Sequence, residues 1–275
     1  MNAAEAAAAH ESGNDSDGCE DAIGFMFDAE VARTKRHFSF PVGGEAATAS
    51  AEQRPNLDIS LLCIDDNPGA VQSGHYIWPA ASALARYLAL HWWHDDVVAS
   101  VRASRGEGWL VAVELGAGCG LAGLAAMHLG AVVGFTDHDN GTLALIRDNL
   151  ALQGFGGAAS GGPGSEAFAC PLAWGAAHRG SWPEELAALA GGSDLVLCSD
   201  VIYDSGVVEP LLWTVKALLA THGKCLLCGS FRLEHGTDAQ VDALCAAFGL
   251  ACTLIFDDLD TGGCRMHEIR FAVAE

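Results

Sequence analysis

The residues best placed for chemistry lie between Leu110 and Asp139, in the string LVAVELGAGCGLAGLAAMHLGAVVGFTDHD. Gly116, Gly118 and Gly120 crowd one short turn, G-A-G-C-G-L. Glycines at such a turn let a ligand touch the backbone, because no Cβ stands in the way. A helix starting behind them presents unpaired N–H groups. Asp137, further on, is a carboxylate that can accept hydrogen bonds from both hydroxyls of a ribose. The combination points to a nucleoside-containing ligand. Leu121 stands where the dinucleotide pattern G-x-G-x-x-G has its third glycine, which disfavours a nicotinamide dinucleotide.

Those residues need elements to hold them. Leu110 to Leu115 is a short apolar run with two valines, the length of a buried strand. Leu121 to Leu129 is rich in Ala and Leu at helical spacing, and Gly130 is a natural stop. Ala131 to Thr136 is a second buried strand with Asp137 at its tip. The unit is therefore strand, turn, helix, strand with a right-handed crossover. Three further strings carry residues of interest. Ser73 to Leu90 (SGHYIWPAASALARYLAL) places Trp78 before a helix beginning near Ala80. Leu172-Ala173-Trp174-Gly175 follows a third strand, Glu166 to Leu172. Ser199, Asp200 and Tyr203 follow a fourth, Leu195 to Cys198, at the sheet edge where open α/β folds bind ligands. An indole face such as that of Trp78 or Trp174 packs in a core or stacks on a planar ring.

Four strings in this order carry a family resemblance. Glu114-Leu-Gly116-Ala-Gly118-Cys-Gly120 resembles motif I of the class I, seven-stranded methyltransferases, which bind S-adenosylmethionine (SAM). Gly74 to Ala81, Leu172 to Gly175 and the D-x-x-Y string Asp200-Val201-Ile202-Tyr203 resemble segments of one protein-methyltransferase group within that class. That group includes the calmodulin-lysine and valosin-containing-protein-lysine enzymes. The resemblance covers about Phe38 to Ala274. It implies a Rossmann-like α/β fold with strand order 3-2-1-4-5-7-6 and strand 7 antiparallel. Periodicity alone gives only α/β, mostly parallel. It further implies that Gly116, Ala117 and Gly118 hold the amino-acid part of SAM, that Asp137 takes the ribose hydroxyls, and that Trp174 neighbours the adenine. Trp78, Ser199 and Glu114 complete the implied cofactor set. Asp200 and Tyr203 are the candidates for orienting an acceptor amine, Tyr203 partly through its ring face.

Composition bounds the rest. The 275 residues are 51% hydrophobic, ample for a large buried core. A formal charge of −21 repels phosphate backbones and attracts a basic protein or peptide. Direct nucleic-acid binding is therefore not expected. The ten cysteines show no paired-ligand spacing. Cys225 and Cys228 form C-x-x-C inside an apolar run, and residues three apart on a strand face opposite sides. His91 and His94 form only H-x-x-H. No metal site is expected. No apolar run reaches the roughly 18 residues of a membrane span.

The expected organisation is an acidic disordered tail over residues 1–35, then one domain over 36–275. Arg36 to Phe40 and Leu57 to Ile64 read as a hairpin-like elaboration on the main sheet, within 36–72. His91 to Glu107 reads as a polar connection, and Gly154 to Gly164 as a flexible loop. After the fourth strand come a helix (Val207 to Ala220), a strand (Lys224 to Gly229), a helix (Thr237 to Phe248) and a strand pair (Leu250 to Phe256, His267 to Ala274). The tail lacks the Arg-rich pattern of a transit peptide and the apolar core of a secretory signal. A cytoplasmic or nuclear monomer is the expectation. The implied function is SAM-dependent methylation of a protein, with lysine as the favoured acceptor. Arginine (as in a histone-methylating branch of the group), histidine and small-molecule acceptors stay open, as does an inactive SAM-binding scaffold. Tyr203 leans towards lysine, since the arginine branch departs from tyrosine at that position.

Overall fold

The computed structural model describes residues 32–43, 55–65, 73–105, 109–155, 167–231, 236–259 and 263–273. Its centre is a seven-stranded sheet built on β3 (Leu110–Leu115), β4 (Ala131–Asp137), β5 (Ala167–Pro171), β6 (Ser193–Ser199), β7 (Leu219–Gly229), β8 (Leu250–Asp257) and β9 (Arg265–Phe271). The spatial order is β5-β4-β3-β6-β7-β9-β8. Counted from β3, that is 3-2-1-4-5-7-6. Strand β9 runs antiparallel to both of its neighbours. The parallel strands read as continuous apolar runs because both of their faces are covered. In β3, Leu110 and Ala112 enter one core, while Val113 and Leu115 enter the other.

Among the described residues, seven α-helices cover the two faces. On one lie α1 (Pro79–His91), α2 (Asp96–Arg105), α3 (Leu121–His128) and α4 (Asn140–Leu152). On the other lie α5 (Glu184–Ala188), α6 (Val208–Leu218) and α7 (Thr237–Ala247). Cys228 belongs to the first core and Cys225 to the second, so the C-x-x-C thiols face opposite sides of β7.

Strands β1 (Thr34–Pro41) and β2 (Asn56–Cys63) pair antiparallel as a separate two-stranded sheet. This corrects the expectation of an elaboration on the main sheet: the hairpin packs on helices α1, α3 and α4 instead. The buried Asn149 of α4 explains the attachment. It accepts from the Leu62 amide at 2.6 Å and donates to the Leu62 carbonyl at 3.1 Å. It also donates to the Cys119 carbonyl at 3.0 Å, tying the hairpin to the glycine turn.

Two other expectations change. Helix α2 replaces most of the polar connection after His91. Asp95 caps it by accepting from the Val97 and Val98 amides, and Val97, Val98 and Val101 bury the inward stripe. Strand β1 begins at Thr34, inside the range assigned to the tail, while residues 1–31 lie outside the described residues. Most of the expected loop from Gly154 to Gly164 also lies outside them.

Candidate functional site

The chain leaves β3 through a turn only glycine adopts without strain. Gly116 and Gly118 have φ of 60° and 53°, in the left-handed region. The Ala117 amide donates to the Thr136 carbonyl at 2.9 Å, and the Gly120 amide to the Ala117 carbonyl at 2.8 Å. The Gly118 amide donates to Oδ2 of Asp137 at 3.1 Å. Oδ1 of Asp137 accepts from the Asp139 amide at 3.1 Å and lies 3.3 Å from Nδ1 of the exposed His138. The acid at the tip of β4 is thus locked to the turn after β3.

A cleft of about 700 Å³ opens above this turn, at the carboxyl ends of β3, β4 and β6. Its walls include Trp78, Gly116, Gly118, Asp137, Trp174, Ser199, Asp200 and Tyr203. Trp78 sits just before α1, with Pro79 as the first helical residue and its indole N–H donating to the Ser73 carbonyl at 3.0 Å. Trp174 is pinned from both sides. The Leu172 amide donates to the Asp137 carbonyl, and the Gly175 amide to Oγ1 of Thr214, each at 2.9 Å. Tyr203 stands at the rim, 68% exposed.

Asp200 is the one non-glycine residue with positive φ among the described residues, at 53°. Its carboxylate is gripped by three donors: the Ala80 amide at 3.0 Å, the Ser230 amide at 2.6 Å and the Ser230 hydroxyl at 2.7 Å. It therefore joins the start of α1 to the ends of β6 and β7. Burial raises its pKa above the usual carboxylate value, against the lowering effect of those hydrogen bonds.

One residue read from sequence as cofactor-binding lies away from the cleft. Glu114 is fully buried behind the turn, where Oε2 accepts from the Gly123 amide at 2.9 Å. It stitches α3 to β3 and does not line the cleft. A Cβ on Gly123 would stand 2.5 Å from that oxygen and 2.4 Å from the Phe135 ring, so glycine is required for this approach. Burial pushes the Glu114 pKa up to about 8. Ala117 lines a small pocket that opens beside the cleft and shares Trp78, Gly116, Gly118 and Ser199 with it. The sequence reading also missed Ser230, Phe231, His138, Asp139 and Thr142, all at or beside the site. Asp139 carried a signal, as an Asp directly before a helix: it accepts from the Thr142 amide at 2.7 Å, which holds its pKa down.

The cleft fits a nucleoside bearing a positive charge. A carboxylate offers about four acceptor positions. Backbone amides occupy only some of those on Asp137, leaving room for two ribose hydroxyls. The left-handed glycines keep the floor free of side chains. The lining holds Asp137, Asp139 and Asp200 and includes no Lys or Arg among the described residues, so its field favours a cation.

A family model described as lysine methyltransferase matches residues 56–240, more than half of the chain. EEF1A lysine methyltransferase 3 of Mus musculus is 33% identical over 126 residues, covering 46% of this chain and 47% of that protein. Histone-arginine methyltransferase METTL23 of Xenopus laevis is 28% identical over 184 residues, covering 66% of this chain and 67% of that protein. The chain thus matches about half the length of the first relative and two thirds of the second. Among solved structures, the methyltransferase SMU.776 complexed with SAH shares the fold, with a TM-score of 0.50 and 10% identity over 77% of this chain and 53% of that one.

Proposed function

Because the chain belongs to the lysine methyltransferase family, we propose that it transfers a methyl group from S-adenosylmethionine to a lysine side chain of a protein. The observation that carries this reading is the meeting of Asp137, the left-handed glycine turn and Trp174 in one acidic cleft, with Asp200 and Tyr203 also in its walls.

Bound there, the sulfonium supplies an electrophilic methyl carbon. Asp137 would accept the ribose hydroxyls, the Gly116–Gly118 backbone would face the amino-acid part, and the Trp174 indole would cover the adenine. Trp78 and Ser199 would close the pocket around it. The carboxylates of the lining favour the cationic donor over a neutral product.

The protein's remaining task is to present a neutral amine in line and exclude water. A free lysine ammonium titrates near ~10.4. Burial beside a cation lowers that value and favours loss of the proton. Asp200 has three donors on its carboxylate, so its main work is to fix the strand end that faces the amine. Tyr203 stands at the rim, placed to meet the incoming side chain with its ring face and hydroxyl.

An arginine acceptor is the second reading, supported by the histone-arginine methyltransferase among the relatives. Purified full-length chain incubated with tritiated SAM and cell extract tests both. Label in a protein band, placed on lysine by mass spectrometry, is the expected result. Label on arginine selects the second reading, and label only in small molecules contradicts both.

A further inference from the structure

Beyond Asp200 and Phe231 lies a second cavity of about 240 Å³, enclosed by the ends of β7, β8 and β9 and by helix α7. Asp200 and Phe231 line both this cavity and the larger cleft. Its floor is apolar, with Ile202, Leu227 and Val241 buried there. Asp238 and Asp242 of α7 stand on its wall, as does the half-exposed Leu254 of β8.

We propose that this cavity receives a second lysine or arginine side chain of the substrate protein, one adjoining the methylated residue. The inference rests on the reading of the chain as a protein methyltransferase. Size supports a side chain as the occupant: pockets for small-molecule ligands run to about 300–1,000 Å³, and this one falls below that range. Shape supports a long one, since Lys and Arg lay an aliphatic stem on apolar surface and keep the charged head at a polar edge.

Charge selects the sign. Among the described residues that line it, three carboxylates, of Asp200, Asp238 and Asp242, face one guanidinium, that of Arg265. Arg265 is already held by Asp238 at 2.8 Å and by Asp257 at 2.9 Å. Asp242 makes no ion pair among the described residues and is exposed at the wall. His267, also on the wall, has its pKa lowered by burial and by Arg265, so the uncharged imidazole does not oppose a cation at neutral pH. An acidic side chain would meet net repulsion, and an apolar one would desolvate Asp242 without a partner. The shared wall supplies the register: a chain with its acceptor in the larger cleft passes a neighbouring residue over the smaller cavity.

The test uses the full chain with isotopically labelled Ile, Leu and Val methyl groups, followed by NMR. The probes are the Nα-acetyl methylamides of arginine, lysine and norleucine. Saturable shifts of the Ile202, Val241 and Leu254 methyls are expected with the two cationic probes and not with norleucine. In Asp242→Asn the cationic probes should bind at least fivefold more weakly, and in Asp242→Lys not at all. Asp242 is exposed, so neither variant threatens the fold. Equal shifts with norleucine, no shift at these methyls, or full binding to Asp242→Lys would overturn the proposal. The readout needs no methyl transfer, so its failure is separate from failure of the proposed activity.

Discussion

Ser230 holds both oxygens of Asp200, its amide on Oδ1 at 2.6 Å and its hydroxyl on Oδ2 at 2.7 Å. The same Oδ2 accepts from the Ala80 amide at 3.0 Å. A residue read from sequence as a candidate for orienting the acceptor amine is also the joint between helix α1 and two strand ends. Ser230→Ala removes one hydrogen bond to an ionisable acceptor, worth about 1.5–3 kcal/mol. Methyl transfer should fall about 10–100-fold, as expected when reacting groups are misplaced by a fraction of an ångström to one ångström. SAM affinity should hold, and Ser230→Thr should restore most of the rate. Single-turnover kinetics beside calorimetric SAM titration separates these effects. An unchanged rate in Ser230→Ala would remove the positioning role.

The left-handed backbone at Asp200 gives a second expectation. Asn tolerates that conformation, whereas Ala pays a steric cost of about 1–2 kcal/mol. Asp200→Asn keeps the backbone but sets an amide N–H₂ against donors. Asp200→Ala loses both the hydrogen bonds and the conformational match. Thermal unfolding should rank wild type above Asp200→Asn and Asp200→Ala lowest. The reverse order of the two variants would contradict the geometry.

Glu114 makes stability depend on pH with a definite sign. Its pKa rises from 4.5 to about 8 on folding. Below 4.5 both folded and unfolded chains hold the proton, and between 4.5 and about 8 the folded chain holds it more tightly. Stability from this group therefore falls as pH rises through that window, by at most about 1.4 kcal/mol per pH unit. Glu114→Gln should flatten the slope. Urea unfolding of both proteins at several pH values measures it, and parallel slopes would refute the assignment.

Asn149 gives a fourth expectation. It makes three hydrogen bonds from a fully buried site, joining β2, α4 and the glycine turn. At roughly 0.5–1.5 kcal/mol each, their loss in Asn149→Ala should cost about 1.5–4.5 kcal/mol. Amide exchange should accelerate first at Leu62 and in its partner strand β1. Protection unchanged at Leu62 would show that the hairpin is held by other contacts.

Much of this was legible in the sequence because it rests on local patterns. The string from Leu110 to Asp137 spells a strand, a glycine turn, a helix and a second strand, and the structure follows it nearly residue for residue. The strand order came from resemblance, since periodicity does not say which strands become neighbours. Helix α2 was hidden because it is short and polar, with three valines among its ten residues, and its start is set by the Asp95 cap. Glu114 was read as a cofactor residue because it precedes the turn. Strand alternation instead points its carboxyl under α3, where Gly123 leaves room for it. Ser230 had no local signature: its role arises only when β7 ends beside β6, an encounter between residues 30 apart in sequence.

We propose that the cleft over the glycine turn holds SAM through Asp137. Calorimetric titration of SAM into wild type and Asp137→Ala, each checked for fold by circular dichroism, tests it most directly. Losing two hydrogen bonds to a charged acceptor, each worth about 1.5–3 kcal/mol, should weaken binding by at least about 100-fold. One SAM bound per wild-type chain, and that loss in a folded variant, is the expected result. No binding to wild type, or undiminished affinity in Asp137→Ala, would contradict the account.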